Sequence, residues 1–63
     1  MDTIKLGDLV KDTITGFQGT CYGRVDYLLG DSEYLIIPKV KEDGTIIDGK
    51  WFIAQRVEKL ANS

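Results

Sequence analysis

The stretch Gly16-Phe17-Gln18-Gly19-Thr20-Cys21-Tyr22-Gly23-Arg24-Val25-Asp26-Tyr27 decides the fold. Its residues sort with a period of two. Phe17, Gly19, Cys21, Gly23, Val25 and Tyr27 share one face, and Gln18, Thr20, Tyr22, Arg24 and Asp26 share the other. The alternation reads as a bent β-strand whose first face turns to the core, which leaves Tyr22 and Arg24 pointing outward together. Gly16, Gly19 and Gly23 then mark corners or close backbone approach. A phosphate-cradling loop needs a lysine and a helix after its glycines, and neither follows here.

Working outward, Gly7-Asp8 leads into Leu9-Val10-Lys11-Asp12, a first strand near residues 7 to 12, and Thr13 to Gly16 turns the corner. Leu28-Leu29-Gly30-Asp31-Ser32 carries a Gly-Asp turn signal before the β-formers Glu33-Tyr34-Leu35-Ile36-Ile37, so the two runs read as a hairpin. Pro38 has no N–H to give a ladder and ends that strand or places it at an edge. Residues 41 to 45 form a second turn around Asp43-Gly44. Ile46 to Lys50 is ambiguous and fits part of a longer hairpin connection, and Trp51-Phe52-Ile53-Ala54 is the next strand. Gln55 to Leu60 reads as one helical turn followed by a short last strand, and residues 61 to 63 as a frayed tail.

Five short strands with almost no helix must close on themselves to bury a core and limit exposed edges. The expected fold is all-β, a small SH3-like five-stranded barrel spanning residues 1–63 as one domain. It has short turns and at most one helical turn near the C-terminus. An OB-fold would need a longer chain and usually a helix between its third and fourth strands.

Composition narrows the chemistry. A chain of 63 residues buries only about 60% of its unfolded surface, so its stability is small. It has one cysteine and no histidine. Disulfide staples, Cys-His and Ser-His-Asp nucleophile systems are therefore ruled out, and the commonest transition-metal ligand is missing. No metal, cofactor or catalytic residue is expected. The lone Cys21 reads as a small buried hydrophobe in a reducing compartment. No apolar run approaches the roughly 20 residues that span a bilayer, and Met1 to Lys5 lacks signal-peptide character. The expectation is a cytoplasmic protein. Ten acidic against eight basic residues give a net charge of −2, which supplies no broad attraction to phosphate backbones or anionic lipid.

Five residues are candidates for binding: Tyr22, Arg24, Trp51, Phe52 and Arg56. Trp51 and Phe52 are neighbours, so a regular strand sends them to opposite faces and one of them outward. Tyr22 has two readings, a cross-strand partner lying on the barrel wall or part of an interaction surface with Arg24. Arg24 and Arg56 offer planar forks for carboxylate or phosphate. The structural alternative pairs them with internal acids such as Asp12, Asp26 or Glu58. The remaining aspartates accompany turns, and the lysines are interspersed with acids as on a solvated surface.

Gly7-Asp8, Val10, Asp12, Thr15-Gly16-Phe17, Gly19, Arg24, Tyr27-Leu28, Gly30, Tyr34, Pro38, Asp43-Gly44, Trp51-Phe52, Arg56, Glu58 and Leu60 together resemble the pattern of a family of small proteins encoded by phages and prophages. The Gly-Asp opening and Gly-x-x-Gly corner also resemble KOW and Tudor-type SH3-like modules. The resemblance implies a phage protein at work in a bacterial host and brings no catalytic residue. The expected function is that of a non-enzymatic phage accessory module. It binds protein, either another copy of itself as a homo-oligomer or a host factor in takeover or counter-defence. The alternatives are binding or sequestering of nucleic acid or a nucleotide ligand, through stacking on Tyr22 and Trp51 with Arg24 at a phosphate, and a minor structural role in the virion.

Overall fold

The computed structural model describes residues 4–39, 43–45 and 47–60. Five antiparallel strands form one sheet: β1 (Leu9–Asp12), β2 (Gln18–Val25), β3 (Glu33–Ile37), β4 (Lys50–Ile53) and β5 (Val57–Lys59), with a 3-10 turn at Ala54–Arg56. Their spatial order is β4-β3-β2-β1-β5. The strand at residues 7 to 12 begins two residues later than expected, because Gly7 is a turn residue with φ +97°. β3 ends at Ile37 before Pro38, and the helical turn and last strand follow β4 as the sequence indicates. Gly44, φ +87°, sits in the second turn, where Asp43 Oδ1 accepts the Thr45 N–H at 2.9 Å. Residues 41, 42, 46 and 61 to 63, to which the sequence assigns a turn, a hairpin connection and a frayed tail, lie outside the described residues.

The alternation of β2 needs a correction. Thr20 faces Ile37 and Cys21 faces Ile36, but the next pairs are Gly23 with Leu35 and Arg24 with Tyr34. Tyr22 is thus an extra residue, a β-bulge, and side chains after it change face. Cys21 is buried beside Ile36, whereas Gly23 and Val25 lie on the outer face and Arg24 on the inner face opposite buried Tyr34. Tyr22 and Arg24 are both exposed, but for this reason they do not share one alternating face of β2. Tyr27 lies beyond the end of β2, in the loop to β3.

The core is Val10, Cys21, Tyr34, Ile36 and Val57, with Ile4, Phe17, Phe52 and Ala54 packed against it. The Phe17 and Phe52 rings are 5.4 Å apart. Phe52 pairs through Tyr34 with Arg24, seven residues along β2 from Phe17. In a flat sheet that separation is roughly 25 Å. The sheet is therefore strongly coiled, and the bulge supplies the local bend.

Two glycines lie where the sheet coils, and one of them is required there. A Cβ on Gly19 would lie 2.3 Å from the Ile37 carbonyl oxygen and 2.8 Å from the Pro38 Cα, so only a bare backbone fits there. On Gly23 a Cβ would meet the Trp51 indole at 3.5 Å, an ordinary contact. Gly23 is where a side chain from two strands away lies across the sheet.

Candidate interaction surface

The inner and outer faces of the sheet hold different members of the candidate set. On the inner side, Asp12 is fully buried and receives two parallel hydrogen bonds from Arg56, Nε to Oδ1 and Nη2 to Oδ2, both at 2.8 Å. The Thr15 N–H donates to Oδ2 at 2.8 Å and the Thr15 hydroxyl to the same oxygen. Arg56 also lies over the Phe52 ring, 5.5 Å from its centroid. This bidentate fork with satisfied lone pairs is the arrangement in which a buried carboxylate is tolerated. Among the described residues no buried side-chain nitrogen or oxygen lacks a partner. The bonds tie the corner after β1 to the turn before β5. Thr13 adds to the link, since its N–H and hydroxyl both donate to the Arg56 carbonyl at 2.8 and 2.9 Å.

Arg24 is engaged in the same manner nearer the surface. Its Nε donates to Asp26 Oδ1 at 2.9 Å, and its guanidinium sits 5.9 Å from the Tyr34 ring centroid. Asp26 Oδ1 also accepts the Ser32 hydroxyl, so the three residues brace the loop between β2 and β3. Arg24 and Arg56 thus pair with Asp26 and Asp12, as the structural alternative had it.

These pairs shape the response to acid. The Arg56 hydrogen bonds, helped by those of Thr15 and opposed by burial, hold the Asp12 carboxyl far below the usual carboxylate range. Asp26 is lowered by the Ser32 hydroxyl first and Arg24 second. A carboxyl lowered on folding stabilises the fold above its ordinary pKa of about 4, and this stabilisation is lost as pH falls from there toward the folded-state value. The melting temperature is therefore expected to fall steadily on acidification below about pH 4, as a thermal melt series by circular dichroism would record.

Cys21 is buried, its thiol 3.7 Å from the Gly23 carbonyl, and burial raises its pKa with a smaller contribution from Asp8. It is a core residue without thiolate character. No group of three or more metal-binding side chains exists among the described residues. None of the helices there is long and apolar enough to cross a membrane.

The outer face presents apolar side chains to water. Register places Trp51 opposite Leu35 and Leu35 opposite Gly23, and the indole reaches across to Gly23. Ile53 and Val25 flank this row from either side of Glu33, and Ile37 continues it along β3. Trp51 is 47% exposed and Ile53 43%, with Leu35, Ile37 and Val25 half-buried. Trp51 is thus the outward member of the Trp-Phe pair. Tyr22, 64% exposed at the bulge, lines a shallow depression of about 330 Å³ with Leu6, Gly7, Thr20 and Cys21. Among the described residues strand β4 has a ladder partner on one side only, β3.

Of the five candidates, Tyr22, Trp51 and Arg24 are exposed, Arg24 at the rim of the inner side, while Phe52 and Arg56 are partly buried there. Leu35 and Ile53 were missing from the candidate set. The period-two pattern of β3 and β4 could have found them, because Leu35 and Ile53 alternate with core residues Tyr34 and Phe52.

The fold and this surface define a small all-β protein with a coiled five-stranded sheet and an apolar outer face beside β4, the edge strand among the described residues. Comparison with protein-family models, with curated proteins and with solved structures gives no match.

Proposed function

We propose that the chain is a non-enzymatic protein-binding module and that the outer face around Trp51 is its docking surface. The observation that carries this reading is the half-exposed indole lying across Leu35 to Gly23, on a strand that is at the edge of the sheet among the described residues. Monomeric proteins rarely leave contiguous apolar area and a free sheet edge uncovered. An extended segment of a partner protein adding to β4 would satisfy the edge, with its apolar side chains on Trp51 and Ile53. Tryptophan is the residue type most enriched at such contacts.

The fine architecture belongs to the same proposal. The sheet closes into a small SH3-like barrel in this reading, which the strand order β4-β3-β2-β1-β5 and the 3-10 turn between β4 and β5 support. The Phe17–Phe52 and Asp12–Arg56 contacts favour it. The motif resemblance supports a phage or prophage protein acting in the cytoplasm of a bacterial host. Nucleotide binding has less support, because Arg24 and Arg56 are committed to carboxylates and lie on the opposite face from Trp51.

Affinity purification of tagged protein from the bacterial host, beside a Trp51→Lys variant, tests the reading. The expected result is a stoichiometric partner whose recovery falls at least tenfold with the variant, a loss typical of a central aromatic. Equal recovery by both proteins would remove the surface from consideration.

A further inference from the structure

The loop between β2 and β3 holds the most exposed apolar side chains among the described residues. Leu28 is 99% exposed, Leu29 86% and Tyr27 50%. The loop is not slack at its base. Arg24 and Ser32 both bond Asp26, the Gln55 side chain donates to Asp31 at 3.2 Å, and the Ala54 N–H donates to the Ser32 carbonyl at 2.8 Å. Two leucines held in water by a braced loop form a knob that loses little freedom on docking. Its flanks carry Asp26, Asp31 and Glu33 against the single base Arg24, so an anionic lipid surface would repel it.

A matching receptacle lies at the other end of the same hairpin. Leu9, Gln18, Gly19, Lys39 and Leu60 line a groove of about 290 Å³, and Leu9 is 37% exposed. Lys39 gives the groove a cation. Lys11, on the same face opposite Gln18, adds another, paired with Glu58 at 3.6 Å. The depression beside Tyr22 has no cation in its lining. Apolar walls with a lysine rim complement leucines flanked by carboxylates.

The knob follows the last residue of β2 and the groove begins at its first, Gln18, so the eight-residue strand between them holds the two apart within one molecule. We infer that the Tyr27-Leu28-Leu29 knob of one copy docks in the Leu9–Leu60 groove of a second copy, with Lys39 facing its acidic flanks. The contact is heterologous, so it propagates from head to tail into a ring or a filament. The groove opens on the same outer face as Trp51, since Leu9 pairs with Thr20 and Thr20 with Ile37, but Trp51 does not line it and stays open to a partner.

Sedimentation velocity and native mass spectrometry of the full chain, from micromolar to near-millimolar concentration, test it. Wild type is expected to associate beyond a dimer as concentration rises. A knob variant, Leu28→Asp with Leu29→Asp, and a groove variant, Gln18→Glu with Lys39→Glu, should each associate at least tenfold more weakly. Mixed together they should form a one-to-one dimer, because one retains a sound groove and the other a sound knob. All four changes are at solvent-facing positions, and unchanged far-ultraviolet circular dichroism confirms folding. A wild type that stays monomeric overturns the inference, whether or not its knob then binds lipid vesicles or another protein. So does an assembly that the knob variant keeps, or a mixture that yields no dimer. A monomeric protein whose capture of a partner still depends on Trp51 would overturn only the self-docking and leave the proposed function standing.

Discussion

Asp12→Asn lowers the melting temperature by roughly 15 °C or more. The carboxylate is buried and accepts four hydrogen bonds, two from Arg56 and two from Thr15. An amide offers one oxygen and turns an N–H₂ toward donors, so part of the fork loses its acceptor and Arg56 loses its counter-charge in a half-buried setting. The link from the β1 corner to the turn before β5 opens with it. Arg56→Lys keeps the charge but not the planar fork, and a smaller loss is expected. Differential scanning calorimetry at neutral pH measures both. The Asn variant should also lose much of the acid sensitivity of wild type, since the group whose ionisation stabilised the fold is gone.

Gly19→Ala is the second large effect, and its cause is steric. The new methyl would sit 2.3 Å from the Ile37 oxygen, 2.7 Å from the Ile37 carbon and 2.8 Å from the Pro38 Cα, all backbone atoms that cannot rotate away. β2 and the end of β3 must part where the sheet coils. A cost of about 3 kcal/mol, at the upper end for overpacking, is a large share of the stability of so small a domain. Urea unfolding should show a midpoint moved far toward zero. Gly23→Ala is the control, because its methyl would meet the Trp51 indole at 3.5 Å and should be tolerated.

Much of this structure is legible in the residues. Alternation in Glu33–Ile37 and Trp51-Phe52, the stop at Pro38, the glycine corners and the helical turn before β5 all follow from local rules. The Arg-Asp pairs were legible as a choice among acids, and the fold selected Asp26 and Asp12. The bulge was not, because one extra residue leaves no mark on composition while it reverses every later face of β2. Gly23 within a strand was its only local sign. The reversal carries Arg24 away from Tyr22 and brings Gly23 under Trp51, so the candidate surface moved from β2 to β3 and β4. Leu28 and Leu29 belong to the turn stretch that the sequence marks before β3; their exposure depends on where the loop is braced, by Asp31 to Gln55, 24 residues apart in sequence.

Trp51 is the only tryptophan in the chain, so its fluorescence reports the docking surface alone. Titration with the partner recovered from the host, at wavelengths that excite indole and with a partner variant free of tryptophan, is the most direct measurement. If the outer face is the docking surface, emission shifts to the blue and acrylamide quenching falls several-fold at saturation, as a half-exposed indole becomes enclosed. Saturable binding with emission and quenching unchanged would place the contact elsewhere and contradict the proposal.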